Sequence, residues 1–215
     1  MIWFEYKIVL CYSANYCMEG LDDTQLIIRC QQEDHEDCQT DRQAFNELVL
    51  KYQDKLYNSV YRLVNNQSDA QDICQEAFIR AFRNIKNFKG NSSFQTWLYQ
   101  IALNQFYTHY QKSKREQEKK VEKIQESNSN TVNVRKPSEG FDDPAQHVQS
   151  EEQKQAIEEA LDALPIELKR VVVLKDIEGF SYEEIAQILK ISIHTVRKHL
   201  CEAREELRYA LKKYL

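Results

Sequence analysis

Apolar side chains recur at three- and four-residue intervals along most of the chain, the period of amphipathic helices. Phe45, Leu48, Val49, Tyr52, Leu56, Val60 and Val64 predict one long helix. A shorter helix precedes it, capped by Asp22 or Asp23, running to about Gln31 with Leu26 and Ile27 inward. A polar, acidic loop over residues 31–41 joins the two. Asn65-Asn66-Gln67 breaks the long helix, and Ser68 with Gln71 forms a capping-box pattern opening the next. That helix is predicted to reach about Ile85, with Ile73, Ala77 and Ala81 inward and Phe78 and Phe82 beside them. Residues 87–93 (NFKGNSS) read as a loop turned at Gly90. A helix over residues 94–112 then carries Trp97, Leu98, Ile101 and Ala102.

Periodicity lapses over residues 113–150, which are charged, then rich in Ser and Asn, with Pro137, Gly140 and Pro144. This is linker composition, although its first part, to about Gln125, can extend the preceding helix. Ile157, Ala160, Leu161 and Leu164 restore a helix over residues 151–164. Pro165 suits the first position of a helix over residues 166–176, which Gly179 ends. Ser181 and Glu184 form a second capping box, followed by Ile185, Ala186 and Leu189 on one face. Lys190-Ile191-Ser192 interrupts, and Ser192 caps a last helix striped by Val196, Leu200, Ala203 and Leu207. Residues 180–208 therefore have helix-turn-helix grammar, with the last helix placed to enter a major groove. The fold class is all-α: an N-terminal extension (1–21), a helical domain (22–112), a linker (113–150) and a second helical domain (151–215).

Three Pro and four Gly in 215 residues agree with an all-helical chain of one or two domains. The net charge of −5 argues mildly against a nucleic-acid binder, but its distribution matters more. Residues 19–47 hold nine acids and two bases, residues 77–115 seven bases and no acid, and residues 190–215 seven bases and three acids. Two basic zones suit a protein that touches DNA at two places. The six cysteines form no C-x-x-C pair, and a reducing cytoplasm is their simplest setting. Cys30, His35 and Cys38 lack a fourth zinc ligand at typical spacing, so an acidic surface loop is the preferred reading and no metal or cofactor is expected. No nucleophile elbow or phosphate-binding glycine loop is present, and the chain is not read as an enzyme. Residues 1–17 are apolar and aromatic, too short to span a bilayer and poor as a signal peptide. Either translation starts at Met18 or these residues add a packed element; the first is preferred.

Three segments resemble bacterial RNA polymerase sigma factors of the extracytoplasmic-function (ECF) group. Residues 69–78 (DAQDICQEAF) are similar to that family's D-A-E-D-hydrophobic-x-Q-E-x-F signature. Residues 88–104 (FKGNSSFQTWLYQIALN) are similar to its F-R-G-D-S-x-F-x-T-W-L-x-x-I-A-x-N, and residues 161–208 to its L-x-x-L-P…G-x-S-Y-x-E-I-A…T-V-R…A-R segment. The resemblance implies a region 2 domain that docks on core RNA polymerase through Asp69, Asp72, Gln75 and Glu76. It implies that Arg80, Arg83, Lys89, Asn91, Ser92, Trp97 and Asn104 face the minus-ten promoter element as the duplex melts, in an aromatic and basic surface suited to unstacked bases. Trp97, four residues from Ile101, is expected to be buried. A region 4 domain would read the minus-thirty-five element through His194, Thr195, Arg197, Lys198, Cys201 and Glu202. Arg204 is expected to meet phosphate or a glutamate of its own helix. Control by an anti-sigma factor is also implied.

The sequence departs from the family at Lys190, where a turn glycine is usual, and at Asn91, Thr108, Ser192, His194, Lys198, His199, Cys201 and Glu202. The base preference does not carry over. The alternative is a helix-turn-helix regulator that is no polymerase subunit, because TVRKHL (195–200) also resembles such activators. Those usually carry an α/β receiver domain, and residues 22–112 lack the buried β-runs for one. An adaptor without DNA recognition is disfavoured by the aromatic and basic segment 88–104.

Overall fold

The computed structural model describes residues 21–32, 38–124 and 144–212. Its first domain contains α1 (Asp23–Gln31), α2 (Cys38–Val64), α3 (Gln67–Asn84) and α4 (Phe94–Ile124). Its second contains α5 (Pro144–Ala163), α6 (Ile166–Val172), α7 (Tyr182–Leu189) and α8 (Ile193–Ala210). A 3-10 turn, Ile85–Asn87, follows α3, and one turn of π-helix, Val173–Ile177, follows α6. The described residues contain no strand.

Asp22 opens α1 through a capping box: its carboxylate accepts from the Thr24 and Gln25 N–H groups, and the Gln25 side chain accepts from the Asp22 N–H. Those N–H groups, Thr24 first, hold the Asp22 carboxyl below its ordinary value. The first core forms where Leu48, Leu56 and Val60 of α2 meet Ala70, Ala77 and Ala81 of α3 and Phe94, Leu98 and Phe106 of α4. The alanine row lets the α3 backbone approach its neighbours closely.

Several helix ends differ from the sequence expectation. The second helix starts at Cys38 rather than near Phe45, because the polar residues ahead of Phe45 include no Gly or Pro to stop it. The third starts at Gln67, so the Ser68–Gln71 capping box does not open it. Asn66 is the N-cap and accepts from the Asp69 N–H at 3.2 Å. Asn65, at φ 51°, turns the chain out of α2, a conformation that asparagine tolerates. The fourth runs to Ile124, through the stretch where an extension was foreseen. The fifth begins at Pro144, ahead of Glu151; proline is at ease in a first helical turn. Pro165 is the N-cap of α6 rather than its first residue, and its carbonyl accepts from the Leu168 and Lys169 N–H groups, both at 2.9 Å. The helix expected over 166–176 widens into the π turn at Val173.

The helix-turn-helix forms as the spacing indicates, with one shift of register. Ser181 Oγ accepts from the Glu184 N–H (3.2 Å), and Glu184 Oε2 accepts from the Ser181 N–H (2.9 Å). Ile185 and Ile188 are the buried pair of α7, whereas Ala186 and Leu189 sit half-buried at its edge. Ser192 Oγ accepts from the Thr195 N–H (3.0 Å) to open α8, which buries Val196, Leu200 and Ala203. Lys190 closes α7 in the left-handed region at φ 55°, ψ 42°. A left-handed L-residue carries roughly 1–2 kcal/mol of strain that glycine avoids. Lys190→Gly, at this exposed position, is expected to stabilise the second domain by about 1 kcal/mol, visible as a higher denaturation midpoint.

The two domains touch. Helix α7 lies against α4, and the π turn and α6 lie against α2.

Candidate nucleic-acid and partner interfaces

The outer face of α3 changes sign along its length. Asp72 and Gln75 are exposed, Asp69 and Glu76 half-exposed, and Ile79, Arg80 and Arg83 continue outward toward the C-terminus. Acids near the helix N-terminus and bases near its C-terminus both complement the macrodipole. Asp69 approaches His109 of α4 at 3.9 Å. Glu76 accepts from Arg80 Nε at 2.6 Å, so the acidic patch and the basic zone meet in one ion pair.

Beyond α3 the 3-10 turn projects the NFKGNSS loop. Gln31 anchors that turn: its Nε2 donates to the Ile85 carbonyl (2.9 Å) and the Phe88 carbonyl (2.7 Å). The sequence offered only a polar residue at a helix end, so this anchor was not foreseen. Gly90 turns the loop at φ 69°. Lys89 and Asn91 are exposed and Ser92 is half-buried. Ser93 Oγ accepts from the Thr96 N–H at 3.1 Å and starts α4. Trp97 is half-buried rather than buried, because one side of its ring is taken by Phe88 (4.9 Å) and Phe94 (5.9 Å). Asn104 is exposed, at helical spacing from Trp97 and Ile101. A flat aromatic edge, a small polar loop and the bases Arg83 and Lys89 thus share one end of the domain. This is a surface able to stack an unpaired base and hold phosphate.

On α8, His194, Arg197, Lys198, Cys201 and Glu202 are exposed. Thr195 is half-buried, and its Oγ1 lies 2.8 Å from Ser192 Oγ, so it belongs to the cap. The Arg197 guanidinium lies over the Tyr182 ring at 5.6 Å, and Lys175 Nζ reaches the same ring at 5.0 Å. This tyrosine aligns Arg197 without neutralising it. Lys198 stands 3.7 Å from Glu202 one turn on. Arg204 grips Asp176 of the π turn at 2.5 and 3.3 Å rather than a glutamate of its own helix, and this hydrogen bond, first among the causes, raises its pKa.

The cysteines separate by burial. Cys30 and Cys74 are buried, and burial pushes the Cys74 thiol up to about 12, whereas Cys201 is exposed. Cys30 packs in the α1 core; His35 and the Cys38 side chain, like residues 1–17, lie outside the described residues. Among the described residues no group of three His, Cys, Asp or Glu side chains is placed to hold a metal ion, and no helix is long and apolar enough to cross a membrane.

Comparison with known proteins assigns both domains. The Sigma-70 region 2 family matches residues 48–116, and the Sigma-70, region 4 family matches residues 154–207. The chain is 34% identical over 193 residues to the RNA polymerase sigma-H factor of Pseudomonas aeruginosa, covering 90% of this chain and 95% of that one. It is 35% identical over 190 residues to the ECF RNA polymerase sigma-E factor of Escherichia coli K12, covering 88% and 94%. Among solved structures, the sigma factor RpoE of Bartonella quintana, in complex with the anti-sigma factor NepR, superposes with a TM-score of 0.59 at 25% identity. That superposition covers 78% of this chain and 96% of RpoE. CnrH, in complex with the cytosolic domain of CnrY, shares the fold at a TM-score of 0.61 and 20% identity, covering 89% and 97%.

A region 2 bundle followed by a region 4 helix-turn-helix on one chain defines a sigma factor of RNA polymerase, a class of transcription initiation factor. Within that class, the chain belongs to the ECF group.

Proposed function

We propose that the first domain docks on core RNA polymerase through the α3 face of Asp69, Asp72, Gln75 and Glu76. Its Lys89-Gly90-Asn91-Ser92 loop, with Arg83, Trp97 and Asn104, holds the melted minus-ten strand. Arg80 joins these two surfaces through Glu76. The second domain reads the minus-thirty-five element with His194, Arg197, Lys198, Cys201 and Glu202, while Thr195 shapes the start of the helix. The observation that carries this reading is the segregation on the first domain: an exposed Asp72 with half-exposed Asp69 and Glu76 along the first two-thirds of α3, bases and a half-exposed Trp97 at the opposite end. The chain carries no chemistry of its own and acts in the cytoplasm, where the polymerase is. An anti-sigma factor, as bound by the Bartonella relative, is the partner expected to restrain it.

In vitro transcription with purified core polymerase and a genomic promoter library tests this. Start sites that depend on the protein are expected; absence of a holoenzyme on native gels would end the proposal. Arg197→Ala is expected to weaken promoter binding by about 1–3 kcal/mol, the value of a guanine contact, with core affinity unchanged. Equal loss of core affinity would contradict the division of labour between the domains.

A further inference from the structure

Glu202 is an unusual residue for a helix that meets DNA. Residues 193–202 carry the bases Arg197 and Lys198 and a single acid, Glu202. A carboxylate brought beside phosphates is repelled, so it weakens binding unless the site offers it a hydrogen-bond donor. The fold gives little reason for it. Its side chain is 46% accessible, and it pairs with Lys198 of the same helix at 3.7 Å. That pair adds little to the helix, because the favourable order places the acid N-terminal to the base and here the base comes first. Arg204 shows the contrast: its charge is tied to Asp176 of the π turn and serves the fold.

The position of Glu202 suits contact with base edges. The buried stripe of α8 is Val196, Leu200 and Ala203. At about 100° per residue, Lys198 stands opposite that stripe and Glu202 about 40° to one side of Lys198. Ile193 to Glu202 spans about 14 Å of helix, or roughly four base pairs at about 3.4 Å each, so both side chains fall in the stretch that reads bases. Their charged ends, 3.7 Å apart, match that step between stacked pairs. They can address one base pair or two neighbours without parting.

The two groups ask for different bases. A carboxylate only accepts and an ammonium only donates. In the major groove guanine presents two acceptors, thymine one, and adenine an acceptor beside its N6 donor. Cytosine presents its N4 amino group and no acceptor. Cytosine is therefore the base that offers a carboxylate a donor with no opposing lone pair, and guanine suits the ammonium. We propose that Glu202 selects a cytosine in the minus-thirty-five element, accepting from its N4 amino group, while Lys198 donates to a guanine of the same or the neighbouring base pair. This selection rests on the proposed role of α8. At other sequences the carboxylate faces O6, O4 or N7, so Glu202 acts largely by rejecting them.

The test uses holoenzyme reconstituted from the full-length protein and core polymerase, with a promoter library randomised over the minus-thirty-five region. Sequencing of the transcribed templates gives the base preference at each position. The wild type is expected to require C at one position, with G in the same or the neighbouring pair, and any other base in place of C lowers recovery by about tenfold. Glu202→Ala is expected to flatten that position alone and to raise the recovery of sites with T or G there, because the repulsion is gone. An acid that only supported the helix would change the recovery of all sites together. Glu202→Gln, which both donates and accepts, is expected to move the preference from C toward A, whose N6 and N7 a carboxamide can grip. Lys198→Ala is expected to lose the paired or adjacent G. An unchanged profile in Glu202→Ala overturns the proposal, as does a wild-type preference for a base other than C at the position that Glu202→Ala flattens. Arg197→Ala separates two kinds of failure. If it lowers recovery while the Glu202 variants keep the wild-type profile, α8 reads the element and Glu202 does not select within it. If neither residue affects recovery, or no holoenzyme forms, the assignment of α8 to the promoter fails and the cytosine contact with it.

Discussion

Replacing Phe94 with alanine is expected to destabilise the first domain by about 3–5 kcal/mol, the usual cost of truncating a buried phenylalanine. The side chain is 1% exposed. Its ring meets Tyr52 (5.5 Å), Trp97 (5.9 Å), Phe88 (6.4 Å) and Phe45 (6.5 Å), so one truncation leaves a cavity among four aromatic neighbours on three elements. Domains are stable by only about 5–15 kcal/mol, and the loss is a large share of that. The functional effect is expected to exceed the thermodynamic one, because Phe88 and Trp97 frame the loop that carries Lys89, Asn91 and Ser92. Urea denaturation followed by tryptophan fluorescence reads this directly, since Trp97 lies beside the cavity and the chain has two tryptophans. Phe94→Leu is expected to cost less, and a loss in Phe94→Ala under 1 kcal/mol would mean that the ring is not the hub of the core.

Much of this was legible in the sequence because helices announce themselves through periodicity and caps. The Ser181–Glu184 box, the Ser192 cap and the Val196, Leu200, Ala203 stripe all formed, since each depends on residues within one or two turns. What escaped depends on tertiary neighbours. Gln31 reaches residues 54 and 57 positions away, and no local pattern marks such a pair. Arg204 finds Asp176 only because the π turn brings that carboxylate to α8. Trp97 was expected to be buried from its spacing with Ile101, yet helical spacing fixes a face and not the depth to which neighbours cover it. The two capping patterns near residue 66 show the limit of local grammar. Ser68–Gln71 is a valid box, but Asn65 in the left-handed region ends α2 so that Asn66 caps first. The domain seam was invisible for a further reason: Ser59, Tyr99 and Glu178, which hydrogen-bond there, belong to three separate stretches, and their meeting reflects how whole domains dock.

Reversing the charge of Asp72 and Glu76 together is expected to abolish holoenzyme formation while the first domain stays folded. Asp72 is exposed and the Glu76 side chain is 42% accessible, so neither supports the core. The fold loses the Glu76–Arg80 pair, worth about 0.3–0.5 kcal/mol for neighbours one helical turn apart, and gains repulsion beside Arg80 of similar size. The cost to a partner interface is larger. A basic and polar surface shaped for these acids would meet two cations, and like charges brought together cost several kcal/mol. At 1.4 kcal/mol per tenfold change, even one such contact corresponds to a loss of about a hundredfold or more in core affinity. Asp72→Asn with Glu76→Gln should lose less, because attraction is removed without repulsion being added. Fluorescence anisotropy with labelled protein and core polymerase measures both, and thermal denaturation checks the fold. Unchanged affinity in the charge-reversed protein would take α3 out of the polymerase interface. A hundredfold loss confined to low salt would place the pair at the rim, where screening governs, whereas a loss that persists at high salt identifies acids enclosed by the partner.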